Sequence, residues 1–287
     1  MTATSNALLR AGNTNCAGCG MSIGLQWLDE VFADQRPYLV IPAACAIVTA
    51  GAFPTTSYGV PVVASTFASA PAFATGVSAV AEMNGESHPT VCWAGDGGTY
   101  DIGVATLSAA AERNEDILYI CYDNEIYGNT GGQRSSATPE GALTSTTPRG
   151  KRERKKDMLG IMAAHRIPYA ATLSIAHRDD FLRKLRTARD MRGFRFLVML
   201  SPCPTGWKSS SDESVELIDL AVRSGLFPLV EVFDGERYRI NVRPDGTDVQ
   251  TYLARQRRYG GKDGEVARER IASQWRYLET MAREFPA

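Results

Sequence analysis

The sequence predicts an α/β fold: a mostly parallel, doubly wound sheet with helices on both faces. Two observations carry this. Short, continuously apolar runs alternate with segments of helical period, and those runs lack the polar alternation of strands with one wet face. The chain's 287 residues also suffice for one large core. Strands are expected at Tyr38–Ile41, Val60–Ser65, Thr90–Ala94, Ile117–Tyr122, Tyr169–Thr172 and Phe194–Leu200, with a strand-like pair near Leu229–Phe233 and Tyr238–Asn241. Between them, helices are expected at Ser22–Phe32, Ala72–Met83, Ile102–Arg113, Met158–His165 and Asp179–Arg189. In the last, Phe181, Leu182, Leu185 and Ala188 share a face. A further helix runs from Glu213 to about Ser224, and an Arg- and Glu-rich helix over Gly264–Glu284 reads as a solvated face or a subunit contact. Residues 1–235 then form one domain and residues 236–287 a C-terminal extension. Between Asp123 and Asp157 the chain is rich in Gly, Ser, Thr and Pro, and a loop of that length in a compact domain is usually functional.

Bulk properties exclude several classes. A net charge of −1, with 44% hydrophobic and 22% charged residues, offers no footprint for nucleic acid or an anionic membrane. No signal peptide is legible in Met1–Ala11, and the apolar stretch Val60–Met83 carries two prolines and many small polar residues, unlike a membrane span. A cytoplasmic location follows by default. There, six cysteines argue for ligation or buried thiols over disulfides.

The segment Gly95-Asp96-Gly97-Gly98 ends one expected strand and opens a helix. Glycines there let backbone approach a phosphate, and the helix start offers free N–H groups. A carboxylate beside a diphosphate is repulsive unless a divalent cation lies between, and magnesium takes hard oxygen ligands. A second strand ends in Asp123-Asn124-Glu125-Ile126, and Asn124 follows Asp96 by 28 residues, the size of one strand–helix–strand unit. The Asn124 side chain and the Ile126 carbonyl could complete a metal shell. Alone, a Gly-Asp-Gly is as readily a turn; the paired strand ends resemble the thiamine diphosphate motif. Gly128-Asn129-Thr130-Gly131-Gly132-Gln133 reads as a self-capping turn, or as one that carries side chains to substrate or diphosphate.

Cys16 and Cys19 form a Cys-x-x-Cys flanked by glycines, a spacing that serves zinc, a redox dithiol or an iron–sulfur cluster. Cys45 and Cys203 each follow an expected strand, giving four candidate ligands. Cys92 and Cys121 lie within apolar strands and read as core residues.

Taken together, Cys16–Gly20, Ala94–Gly103, Tyr122–Pro139, Gly150–Asp157, Ala163–Thr172 and Ser201–Trp207 resemble the beta subunits of the pyruvate:ferredoxin oxidoreductase family, in the broad 2-oxoacid:acceptor group. The resemblance implies oxidative decarboxylation of a 2-oxoacid to its acyl-CoA, with thiamine diphosphate, Mg2+ and a [4Fe–4S] cluster. It places the cluster on Cys16, Cys19, Cys45 and Cys203, the magnesium on Asp96 and Asn124, and Asn129 at the substrate end of the cofactor. The basic run Arg149–Lys156 reads by composition as a solvated face; the resemblance allows it to dock against a partner. That partner is an alpha-type subunit with the pyrimidine-side domain and the glutamate that activates thiamine. Gamma, delta or other electron-transfer subunits lead to ferredoxin or an NAD-linked acceptor. The stretch around Cys45, Ala43–Gly59, and Thr66–Ala70 depart from pyruvate-type sequences, leaving the substrate open between pyruvate, a bulkier or aromatic acid such as phenylglyoxylate, and oxalate. A non-oxidative thiamine enzyme subunit and a zinc-stabilised nucleotide-binding module are the rival classes.

Overall fold

The computed structural model describes residues 7–51 and 54–287. Residues 1–6, in the segment read for a signal peptide, and Ala52 and Phe53, in the stretch after Cys45, lie outside it. Among the described residues, eight strands form one sheet: β1 Tyr38–Pro42, β2 Val62–Ser65, β3 Thr90–Gly95, β4 Leu118–Asp123, β5 Tyr169–Ser174, β6 Arg195–Leu200, β7 Leu229–Phe233 and β8 Arg237–Val242. Their spatial order is β2-β1-β3-β4-β6-β5-β7-β8. The first six are parallel; β7 and β8 add antiparallel pairs at one edge. Every residue of β3, β4, β5 and β6 is buried, which is why these strands read as unbroken apolar runs.

The helices are α1 Gly20–Val31, α2 Cys45–Val48, α3 Ala70–Met83, α4 Val104–Glu112, α5 Met158–Ala164, α6 Arg178–Asp190, α7 Pro204–Trp207, α8 Ser214–Arg223, α9 Val249–Ala254 and α10 Glu265–Glu284. Local chemistry sets several ends. Pro71 sits in the first turn of α3, where its missing N–H costs nothing. Asp157 caps α5 by accepting the Gly160 N–H at 2.9 Å. In α6, Asp179 and Asp180 open and Arg189 closes the helix in the sense its dipole favours, and its apolar face is the expected one. The helix expected from Ile102 starts at Val104, because a wide π turn, Gly97–Asp101, intervenes after β3. The two short helices α2 and α7 had no periodic signal, since four residues make barely one turn.

The chain winds leftwards from β1 to β2 and then rightwards from β3 to β4, so a crevice opens between the carboxyl ends of β1 and β3. Between β4 and α5 it forms no helix or sheet strand, as its composition predicted. The loop is nonetheless packed: Ser135, Ala137, Thr138 and Ala142 are buried. Among the described residues, no helix is long and apolar enough to cross a membrane.

Candidate functional site

A small cleft of about 70 Å3 occupies the crevice. Its walls include Ala43–Cys45 after β1, Gly95–Gly98 after β3, and Asn124 and Ile126–Thr130 after β4, so Asn129 and Thr130, both exposed, stand at its rim. Phe67 and Tyr127 close one side, in an edge contact with ring centroids 5.9 Å apart. The need for glycine at position 97 is steric. A Cβ there would lie 2.1 Å from the Tyr127 ring and 3.0 Å from Phe67.

Gly95 lies in register with Tyr122 across β3 and β4, so Asp96 and Asn124 follow neighbouring strand ends. The Asn124 side-chain oxygen is 2.8 Å from Asp96 Oδ1 and 2.7 Å from the Ile126 carbonyl oxygen. Three oxygens at that separation repel unless hydrogens or a cation lie among them. Turning the amide over would satisfy both acceptors with its NH2 group. Octahedral magnesium, with oxygens at about 2.1 Å, likewise brings neighbouring ligands to about 3 Å. The donor set therefore fits the ion. Asp96 is 2% exposed, and its second oxygen accepts a short bond from the Ser135 hydroxyl. Burial, and then the Asp123 charge, push its carboxyl well above the usual range, against Ser135 and Lys155.

Behind this turn lies a chain of charges in which Asp123, Glu125 and Arg258 are buried and Lys155 is half-buried. Lys155 Nζ donates to Asp123 Oδ2 at 2.6 Å and to Glu125 Oε1 at 2.8 Å, and Arg258 Nη2 donates to Glu125 Oε2 at 2.6 Å. Tyr100 donates to Asp123 at 3.0 Å. Glu125 has a φ of +63°, a strained value for a side-chain-bearing residue, and these bonds hold it there. The solvated reading of Arg149–Lys156 is corrected for its lysines. Lys151 is 3% exposed and donates to the Ser136 and Thr138 carbonyls, while Lys156 donates to the Tyr100 carbonyl. Arg152 and Arg154 remain exposed. Composition concealed this because the carbonyls and carboxylates that these lysines meet lie elsewhere along the chain.

Four cysteines gather on the other side of the cleft. Gly18 and Gly20 let the Cys-x-x-Cys loop lie against Ser211 and Pro202; a Cβ on either would meet them at 2.4 Å. That brings Cys16 and Cys19 beside Cys203. A Cβ on Gly128 would stand 3.8 Å from the sulfurs of Cys45 and Cys203 and 3.8 Å from the Asn124 amide, so the cysteines adjoin the oxygen cluster. Burial pushes Cys19 to about 12 and Cys203 to about 11, with the neighbouring cysteine charges adding to each shift. Cys45 is raised by the same causes. Opposing these, main-chain N–H groups of Met21, Asn129 and Gly206 hydrogen-bond to Cys19, Cys45 and Cys203, an arrangement that favours thiolates. Among the described residues, no three His, Cys, Asp or Glu side chains are close enough to hold one metal ion. Four thiols whose charges act on one another are the ligand number that a [4Fe–4S] cluster takes. Cys92 and Cys121 are fully buried in β3 and β4, as the apolar context predicted. Phe67, Tyr127, Glu125, Lys155, Trp207 and Arg258 were not singled out; only the aromatic residues near glycine-rich turns offered a signal.

Fold and cleft define a class, and a family model agrees: residues 44–199 match the thiamine pyrophosphate enzyme, C-terminal TPP binding domain. The chain is 40% identical to the ketoisovalerate oxidoreductase subunit VorB of Pyrococcus abyssi, over 96% of this chain and 93% of that one. It is 39% identical to the pyruvate synthase subunit PorB of Methanothermobacter marburgensis, over 96% of each, and 42% identical to PorB of Methanocaldococcus jannaschii, over 86% and 87%. A solved 2-oxoglutarate:ferredoxin oxidoreductase from Magnetococcus marinus shares the fold, with a TM-score of 0.64 over 95% of this chain and 96% of that one at 21% identity. The chain belongs to the family of beta subunits of 2-oxoacid:ferredoxin oxidoreductases, and is thus the thiamine-binding component of an oxidoreductase.

Proposed function

We propose that Asp96, Asn124 and the Ile126 carbonyl hold Mg2+ and, through it, the diphosphate of thiamine diphosphate, which Gly95, Gly97, Gly98 and Thr130 accommodate. The observation that carries this is the Asn124 side-chain amide within 2.8 Å of both the Asp96 carboxylate and the Ile126 carbonyl at neighbouring strand ends. In the same reading Cys16, Cys19, Cys45 and Cys203 hold a [4Fe–4S] cluster, and Asn129, at the cleft rim, orients the substrate. The cofactor supplies an electron sink for decarboxylation, and the cluster a path for electrons leaving one at a time. The chain's own residues fix the metal, shape the cleft and hold the cluster's thiolates.

The activating glutamate comes from an alpha-type subunit, because no such residue lines the cleft among the described residues. Coenzyme A takes the acyl group, further subunits carry electrons, and ferredoxin receives them. The names of the relatives favour a small aliphatic 2-oxoacid, pyruvate or the branched ketoisovalerate, over an aromatic one. Residues 236–287 are the subunit-contact extension; Val266, Tyr277 and Phe285 expose apolar surface there. A cytoplasmic complex suits such thiolates.

The test is calorimetric titration of the full chain, reconstituted anaerobically with iron and sulfide, with thiamine diphosphate in magnesium or in EDTA. Magnesium-dependent binding and about four irons per chain are expected. Equal affinity in EDTA would sink the assignment of Asp96 and Asn124.

A further inference from the structure

Arg258 reaches the site from a single turn, Arg257–Tyr259, far along the chain from every cofactor motif. Its side chain is 2% exposed. One guanidinium edge bonds Glu125 at 2.6 Å, Tyr252 at 3.2 Å and Gln256 at 2.8 Å. Its face lies 4.1 Å above the Trp207 ring. Trp207 in turn donates its indole N–H to the Asn124 carbonyl at 2.8 Å, and its main-chain N–H to the Cys203 carbonyl at 2.7 Å. The cation therefore touches both halves of the site. Through Glu125 it grips the turn carrying Asn124 and Ile126. Through Trp207 it grips the short helix that begins after Cys203.

We propose that Arg258 is a positioning residue that locks the metal-ligand turn to the Cys203 helix, and that its buried charge makes the four-cysteine cluster easier to reduce. This rests on the assignment of Cys16, Cys19, Cys45 and Cys203 as cluster ligands. Arginine suits the locking role, while the field on the cluster needs only the charge. A planar guanidinium stacks on an indole and still presents donors along its edge, whereas an ammonium is a strongly hydrated point charge. A charge shielded from water acts at an effective dielectric far below that of solvent and is little screened by salt. Reduction adds negative charge to the cluster, so a nearby buried cation favours it and the Glu125 carboxylate opposes it.

The test is an anaerobic optical redox titration of the reconstituted full chain, comparing Arg258→Met, Arg258→Lys and Glu125→Gln with wild type. Arg258→Met should lower the reduced-to-oxidised ratio at fixed potential about tenfold, equivalent to about 59 mV for one electron. Glu125→Gln should move the midpoint the opposite way, and Arg258→Lys should recover most of the wild-type value. A general loosening would move all three in one direction, and that result, or no movement, overturns the proposal. If Arg258→Met fails to hold a cluster, Glu125→Gln decides alone: an unchanged midpoint sinks the idea. A wild-type chain that takes up no four-iron cluster removes the cysteine assignment and this inference with it. A normal wild type with indifferent variants removes only the inference.

Discussion

Two of the charge networks around this sheet differ in how they balance. At the antiparallel edge Glu231, fully buried, accepts from Tyr169 at 2.8 Å, Arg183 at 2.9 Å and Asn241 at 2.6 Å. Arg239 stands 3.8 Å away. Burial pushes its carboxyl up, but these bonds outweigh that and hold it below the usual glutamate range. Beside the cleft, Asp96, Asp123 and Glu125 share the two cations Lys155 and Arg258. One negative charge is left over, and burial raises both Asp123 and Asp96, with Asp96, the residue that faces the cleft, held well above the usual range. The edge network is complete in the folded chain. The cleft network keeps an unbalanced carboxylate, the deficit that the proposed magnesium would neutralise and that a structural ion pair lacks.

This contrast can be broken in three ways. Asp96→Asn should have the largest effect, weakening magnesium-dependent binding of thiamine diphosphate by on the order of a hundredfold. The cofactor-free chain should melt no lower than wild type, since a strained carboxylate has gone; calorimetric titration and thermal melting read both. Glu231→Gln should show the reverse pattern. Loss of the charge weakens three bonds to a buried carboxylate and costs about 2 kcal/mol in chemical unfolding, while affinity for the magnesium complex stays unchanged. A Glu231 variant that lost cofactor binding would erase the distinction between the two networks.

The smallest effect sharpens the comparison through pH. Because the folded value of Glu231 is depressed, its stabilisation is present above the unfolded glutamate value of about 4.3 and is lost as pH falls through the lower folded value. Unfolding energies of wild type and Glu231→Gln should therefore converge as the pH drops below about 4, and differ most near neutrality. A gap that persists in acid would assign the loss to hydrogen bonding rather than to charge.

The sequence by itself determined the parallel core. Strands buried on both faces must be apolar throughout, so β3, β4, β5 and β6 were legible within a residue or two. Asp96 and Asn124 were legible for a related reason: a strand–helix–strand unit has a fixed length, so its ends carry their residues to one place. What only the tertiary structure decided was pairing across long separations. Lys155 looked like part of a solvated basic run, and Arg258 like one of many arginines in the C-terminal segment. Their partners, Asp123 and Glu125, lie 30 or more residues away along the chain. Hydrophobic periodicity records how deeply a face is buried, but it holds no record of which charge meets which, because that depends on how loops of irregular backbone are packed over the strand ends.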